Sequence, residues 1–418
     1  MTRTCRNFSG GIALDSKVLH DPIFRYHWDM DRATSPYSPG AGVPPLVISG
    51  RDDELDLWRS TVRRAETGRH ARGVVIHGLR GVGKTVLLGK MREEVERRDW
   101  VVASLEAGGD AADFRRQLGD RLYPAMRSLA KPNMGSRLRR ALSTFSMFNV
   151  EVDAEGTWKF GIDLDPTPPP SGNLELDLLT LATDLAEAMK DQAAGVAIFI
   201  DEMQDLDNTT LAALCAVVHQ ASQRTLPFMI CGAGLPSLPR VLSEAKSYSE
   251  RLFEYRAIGA LARTDASRAL VDPASDERVS WEDDALATVL DASNGYPFFL
   301  QELGQATWEA APGPSTITFG DARVGVAEGR HRLDVGFFLS RWERATQAER
   351  TYLTVMAEDG DGPSLTKDVA DRLSRSPASL GPTRANLIAK GLIFAPEHGR
   401  IAYTVPGMAD FIRRQKRN

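Results

Sequence analysis

The sequence predicts an α/β fold on a mostly parallel five-stranded sheet, followed by a helical segment and a small C-terminal unit of helices and a hairpin. Three observations predict it. A glycine-rich turn, Gly78 to Thr85, joins a short apolar strand to a helix. From Arg72 to about residue 261, apolar runs of strand length alternate with helical patterns, the signature of a parallel sheet covered on both faces. After Ala262 the strand runs stop and helical periodicity takes over.

Each element follows from its pattern. Residues 1–45 read as an irregular lead-in, because SPYSPGAGVPP is rich in turn and polyproline residues. A helix then opens with Asp52 as its cap, and Leu55, Leu57, Trp58 and Val62 fall near one face. VVIH and WVVASLE read as the first two strands, with a helix over 85–98 between them. A third helix follows over 111–128. Residues 127–172 change character and read as an insertion, in which FNVEVDAEGTWKFGIDLDP alternates about a turn like a hairpin. VAIFIDE, PFMICGAG and the run after Arg251 supply strands three to five, which closes an α/β domain over 46–261. Helices and a linker fill 262–334. The last unit, 335–418, reads as three helices and a two-stranded wing turning at His398-Gly399.

A length of 418 residues exceeds one ordinary core and implies two or three domains. Net charge −5 argues against a surface that coats nucleic acid, though not against a local basic patch. Cys5, Cys215 and Cys231 lie far apart without metal-ligand spacing, which fits a reducing compartment. With neither a signal-peptide core nor a membrane-length apolar run, the expectation is a cytoplasmic protein without a membrane partner.

The chemistry concentrates in Gly78-Leu79-Arg80-Gly81-Val82-Gly83-Lys84-Thr85, which matches GxxxxGK[ST] between strand and helix. Glycines let backbone N–H groups wrap phosphates, and the helix start adds its positive dipole end. Lys84 is expected to bridge β- and γ-phosphates and Thr85 to ligate Mg²⁺. Downstream, Asp201-Glu202 ends an apolar strand, so Asp201 is assigned to the Mg²⁺ shell and Glu202 to polarising the attacking water.

Together these motifs resemble the AAA+ and STAND branch of P-loop ATPases, particularly the origin-recognition-like ATPases of bacteria and archaea, over about 47–311 plus the tail. The resemblance implies a P-loop fold with a helical lid and a C-terminal winged helix, and ATP with Mg²⁺ as cofactors. Ser49-Gly50-Arg51-Asp52-Asp53-Glu54-Leu55 resembles the segment that lies against adenine in that family, so Gly50 and Arg51 become binding candidates. Arg251 stands where an arginine finger sits, and reads equally as a solvated helix-end arginine. Pro297 heads a turn resembling the lid motif, but Phe298 occupies the place where many relatives carry an arginine. Cys231-Gly232-Ala233-Gly234 likewise lacks the polar tip that touches the γ-phosphate in the family. Both departures imply slow hydrolysis of ATP to ADP and phosphate.

The tail 341–418 carries 13 basic and 9 acidic residues. A recognition helix over 377–390 would present Arg384 and Lys390, with Arg400 on the wing, to double-stranded DNA. The alternative is a winged helix that packs within the chain, as in STAND proteins, and serves a protein partner. The resemblance further implies an ATP-dependent homo-oligomer. The resulting expectation is a nucleotide-controlled switch, acting either on DNA or on protein assembly.

Overall fold

The computed structural model describes residues 30, 32–129, 135–145, 171–190, 192–313 and 315–415. Helix α1 (Asp52–Glu66) precedes β1 (Gly73–His77), α2 (Lys84–Glu96), β2 (Val101–Glu106), α3 (Ala111–Leu129), α4 (Ser136–Phe145) and α5 (Leu174–Lys190). Then come β3 (Val196–Asp201), α6 (Asn208–Gln223), β4 (Phe228–Gly234), α7 (Leu238–Ala245) and β5 (Phe253–Ala257).

The five strands form one parallel sheet in the order β2-β3-β4-β1-β5, as the alternation predicts. Val74, Val75 and Ile76 of β1 are fully buried, which is why this strand reads as a continuous apolar run. The connections that leave the neighbouring strands β1 and β4 run in opposite directions across the sheet, so the loop after His77 lies at a topological switch, where such sheets bind ligands. Trp58 locks α1 to the domain, with its indole N–H on the Met91 carbonyl at 2.8 Å and its ring edge-on to Phe199. Asp52 does not cap α1. Arg51 occupies the cap position and no side chain bonds the helix end.

The segment expected to be an insertion divides in two. The predicted hairpin over 148–166 lies outside the described residues. Helix α4, however, belongs to the core, because Ala141, Leu142 and Phe145 are fully buried and Thr144 donates to the buried Asp184 carboxylate at 2.6 Å.

The lid side contains α8 (Arg263–Asp276), β6 (Ser280–Trp281), α9 (Asp283–Ser293), α10 (Pro297–Ala310), β7 (Thr316–Ile317) and α11 (Phe319–Arg332). A π-helical turn, Leu333–Phe338, leads into α12 (Leu339–Glu343). The C-terminal unit adds α13 (Gln347–Met356), β8 (Ser364–Leu365), α14 (Thr366–Arg372), α15 (Gly381–Ala389), β9 (Ile393–Phe394), β10 (Arg400–Tyr403) and α16 (Met408–Gln415). The three helices and the wing hairpin β9–β10 are present, and β8 adds a third strand in the order β8-β10-β9. Lid and C-terminal unit share one apolar core from Ala266 to Ile412, whereas the α/β domain has its own. Among the described residues, no helix is long and apolar enough to cross a membrane.

Candidate functional site

A cavity of about 430 Å³ opens between the α/β domain and the lid, a size that suits a small-molecule ligand. The loop after β1 forms one wall. Gly83 sits at φ 90° as the cap of α2, a left-handed conformation that glycine adopts without strain. Lys84 is buried and donates to the Gly78 and Leu79 carbonyls, each at 3.0 Å. Burial lowers its pKa, and Arg80 adds to this, while Glu202 and Asp201 oppose it. Thr85 Oγ1 donates to Asp201 Oδ2 at 2.6 Å. A hydroxyl beside a carboxylate fits a hard divalent cation, and together with phosphate oxygens and water would complete the shell of Mg²⁺. Among the described residues, no group of three or more His, Cys, Asp and Glu could hold a metal by itself.

Glu202 has a left-handed backbone, φ 48°, which turns its carboxylate back toward the loop. One oxygen meets Arg80 Nη1 at 3.1 Å and the other accepts from Gln204 Nε2 at 2.8 Å. Gln204 also accepts from the Leu235 N–H at 2.9 Å, so it ties the tips of β3 and β4 together. This explains the bare tip of β4. A Cβ at Gly234 would overlap Gln204 Oε1, so the polar group there comes from the segment after β3. The sequence signal was available: a glutamine follows Asp201-Glu202 and glycines end the facing strand.

Arg51 lines the same cavity, whereas Gly50 does not and lies instead against Asp265. The Arg51 guanidinium donates to Gly50, Val82 and Gly259 carbonyls at 3.0, 3.1 and 2.6 Å. It therefore clamps the phosphate loop to the start of the lid. Pro297 begins α10, and the next residue, Phe298, donates its backbone N–H to the Gly81 carbonyl at 3.2 Å. Arg251 is not brought to this cavity. It precedes β5 at the end where Phe253 pairs with Gly73, whereas the loop leaves the other end, where Ala257 pairs with His77.

Two contributors escape the motifs. Residues 38–49 line the cavity, pinned by the Ser38 N–H to Gln301 at 3.0 Å, and Gly42 lies against Thr85. The C-terminal unit reaches the loop as well. Thr404 accepts from the Arg80 N–H at 2.8 Å, and Leu79 packs against Leu235, Phe394 and Ala402.

The three basic candidates on that unit differ in surroundings. Lys390 turns inward and binds the buried Glu349 at 2.6 Å and the Arg344 carbonyl at 3.0 Å. Burial pushes the Glu349 carboxyl up, but hydrogen bonds from Lys390 and Thr346 outweigh it and hold the pKa below its ordinary value. Arg400 pairs with Glu397 at 2.8 Å. Arg384 is half-buried on α15, and its charge bears on the Tyr352 hydroxyl.

Comparisons with known proteins agree with this layout. Residues 48–230 match the AAA ATPase domain family, and residues 335–412 match a domain of unknown function (DUF8462). No curated protein matches the chain. Among solved structures, the RuvB Holliday junction branch migration motor of Thermotoga maritima is 15% identical, with a TM-score of 0.42 over 85% of this chain and 92% of that one. An Orc1 protein of Aeropyrum pernix in complex with DNA is 14% identical, with a TM-score of 0.42 over 94% and 98%. Cdc6p of Pyrobaculum aerophilum is 12% identical, with a TM-score of 0.42 over 92% and 98%. At such values the likeness says nothing of what this chain binds. The phosphate loop, the Asp201-Glu202 strand tip and strands β1 to β3 all fall within the segment, residues 48–230, that matches the AAA ATPase domain family.

Proposed function

We propose that this protein is an ATP-binding, slowly hydrolysing, Mg²⁺-dependent switch whose nucleotide state is coupled to the docking of its C-terminal unit. One observation carries the reading. Arg80 holds the C-terminal unit through its backbone N–H and holds Glu202 through its guanidinium. The residue that joins the two is thus part of the phosphate loop itself.

The chain's groups divide the work as follows. Lys84 and the loop N–H groups hold the phosphates, and Thr85 with Asp201 orients the cation. Bound Mg²⁺ supplies charge neutralisation at the phosphates. Glu202 takes the proton of the attacking water once Arg80 and Gln204 release its carboxylate. While both hold it, the Glu202 carboxylate is turned away from the attacking water, which favours a long-lived bound state over rapid cycling. Arg251, exposed and remote from the cavity, is available to a neighbouring copy, where it would meet phosphate charge in an assembly.

The test is ATP turnover together with mass measurement in ATP and in ADP. Glu202→Gln should lower turnover about a hundredfold while nucleotide binding stays intact. Unchanged turnover would sink the assignment of Glu202.

A second reading has the C-terminal unit engage duplex DNA, favoured by Arg384 on α15, for which no carboxylate partner is described. The inward-turned Lys390 favours intramolecular packing instead. Salt-dependent duplex binding that Arg384→Ala abolishes would establish the DNA reading. Nucleotide-dependent assembly without DNA affinity would establish a protein partner.

A further inference from the structure

Arg341 has no acidic partner among the described residues, although it is half-buried. It lies on α12, just after the π-helical turn, and lines the same cavity as Lys84, Arg80 and Arg51. Its guanidinium stands 3.9 Å from the centroid of the Phe337 ring, and Nη1 donates to the Phe337 carbonyl at 2.6 Å. The charged groups that bear on it are Arg80 and Arg344, both cations. Burial first, and these two next, push its pKa down to about 10. Other arginines of this half are paired: Arg332 meets Glu309, Arg372 meets Asp359 and Arg414 meets Asp334. A half-buried guanidinium on which the charges of Arg80 and Arg344 bear is stabilised by an anion in the space it borders.

Which end of the cavity it faces follows from its supports. Phe337, beneath the guanidinium, lies 4.9 Å from the ring of Phe298, and Phe298 donates its N–H to Gly81 of the phosphate loop. Arg80, whose charge bears on Arg341, belongs to the same loop. The rest of the lining includes the apolar Val47, Ile48, Leu261 and Leu300. Arg341 is therefore at the phosphate end.

We propose that Arg341 contacts the terminal phosphate of the bound nucleotide, so that the C-terminal unit itself distinguishes a triphosphate from a diphosphate. This rests on the nucleotide reading of the cavity. It gives the uncharged Phe298 a role, as the platform that seats Phe337 and, through it, Arg341. It also gives the unit two linked contacts with the loop, one to Arg80 through Thr404 and one to the ligand.

The experiment is calorimetric titration of the full chain with Mg²⁺ and either ADP or a non-hydrolysable ATP analogue. Arg341→Met keeps the stem on Phe337 and removes the charge. It should lower affinity for the triphosphate about tenfold and for ADP less than about twofold. Arg341→Lys keeps the charge without the fork and should lose about threefold for the triphosphate alone, which serves should the methionine variant fold poorly. Wild-type binding of both nucleotides, with either folded variant keeping the wild-type ratio of the two affinities, would overturn the role of Arg341 alone. A wild-type protein that binds neither would overturn the reading of the cavity, and this proposal with it.

Discussion

The two halves of the phosphate loop keep different company. Gly83, Lys84 and Thr85 find their partners inside the α/β domain, at the Gly78 and Leu79 carbonyls and at Asp201. Leu79 and Arg80 reach both units: the Arg80 N–H meets Thr404 while its guanidinium meets Glu202, and Leu79 packs against Phe394 and Ala402 as well as Leu235. The first half carries groups that phosphate chemistry requires of any such loop. The second occupies the unconstrained positions of the motif, and there this chain has placed its link between domains. On the proposed function, ligand binding and its control are adjacent in sequence and should be separable by mutation.

The largest effect should come from the first half. Lys84→Ala should weaken ATP and ADP binding at least about a hundredfold, or ~2.8 kcal/mol, because a buried charge-assisted contact to phosphate is lost. Its thermal midpoint without nucleotide should change little, since the lysine otherwise bonds only nearby carbonyls. Equal loss of folding stability would mean that the two halves are not separable.

Next in size is the C-terminal unit's own anchor. Lys390→Met leaves the buried Glu349 without its cation and should cost about 2 kcal/mol of stability near neutral pH, read by denaturant unfolding. The sign with pH follows from the lowered Glu349 pKa. Stability from that carboxylate is present above the ordinary glutamate range and is lost as pH falls through the depressed value. The gap between wild type and variant should therefore narrow in acid. A DNA-facing lysine would instead leave stability unchanged and alter only duplex affinity.

Much of the site was legible because its parts are local. The loop, its strand and its helix lie within one stretch of sequence, and the acidic tip of β3 announces itself after five apolar residues. The parallel five-stranded sheet followed from the alternation of strands and helices, whereas the order of its strands did not. What stayed hidden depends on distant segments meeting. Residues 38–49 read as an extended lead-in, since their partner Gln301 lies in the lid. Gln204 was passed over because its meaning depends on Gly234 leaving room for it. Lys390 looked solvent-facing, since sequence does not say that Glu349 is buried beside it. Helix α4 read as part of an insertion, because its buried face matches α5 only after folding.

The smallest effect is the most specific to the link between the halves. Arg80→Ala removes the guanidinium from Glu202 and leaves its own backbone bond to Thr404 in place. Arg80 Nε is buried without a hydrogen bond, so this side chain is held at some cost, offset by its ion pair with Glu202. Freed on that side, Glu202 keeps only Gln204 as a partner and should reach water more often. Single-turnover hydrolysis should rise about fivefold, worth ~1 kcal/mol of barrier. Disrupting the C-terminal contact by Phe394→Asp should raise it as well, because Leu79 and Arg80 then lose their neighbours together. The double variant should do no better than the stronger single one, since both act by releasing the same carboxylate. Additive gains would mean that the C-terminal unit restrains hydrolysis by a route other than Arg80, and a fall in rate with Arg80→Ala would make Arg80 a catalytic phosphate ligand instead of a latch.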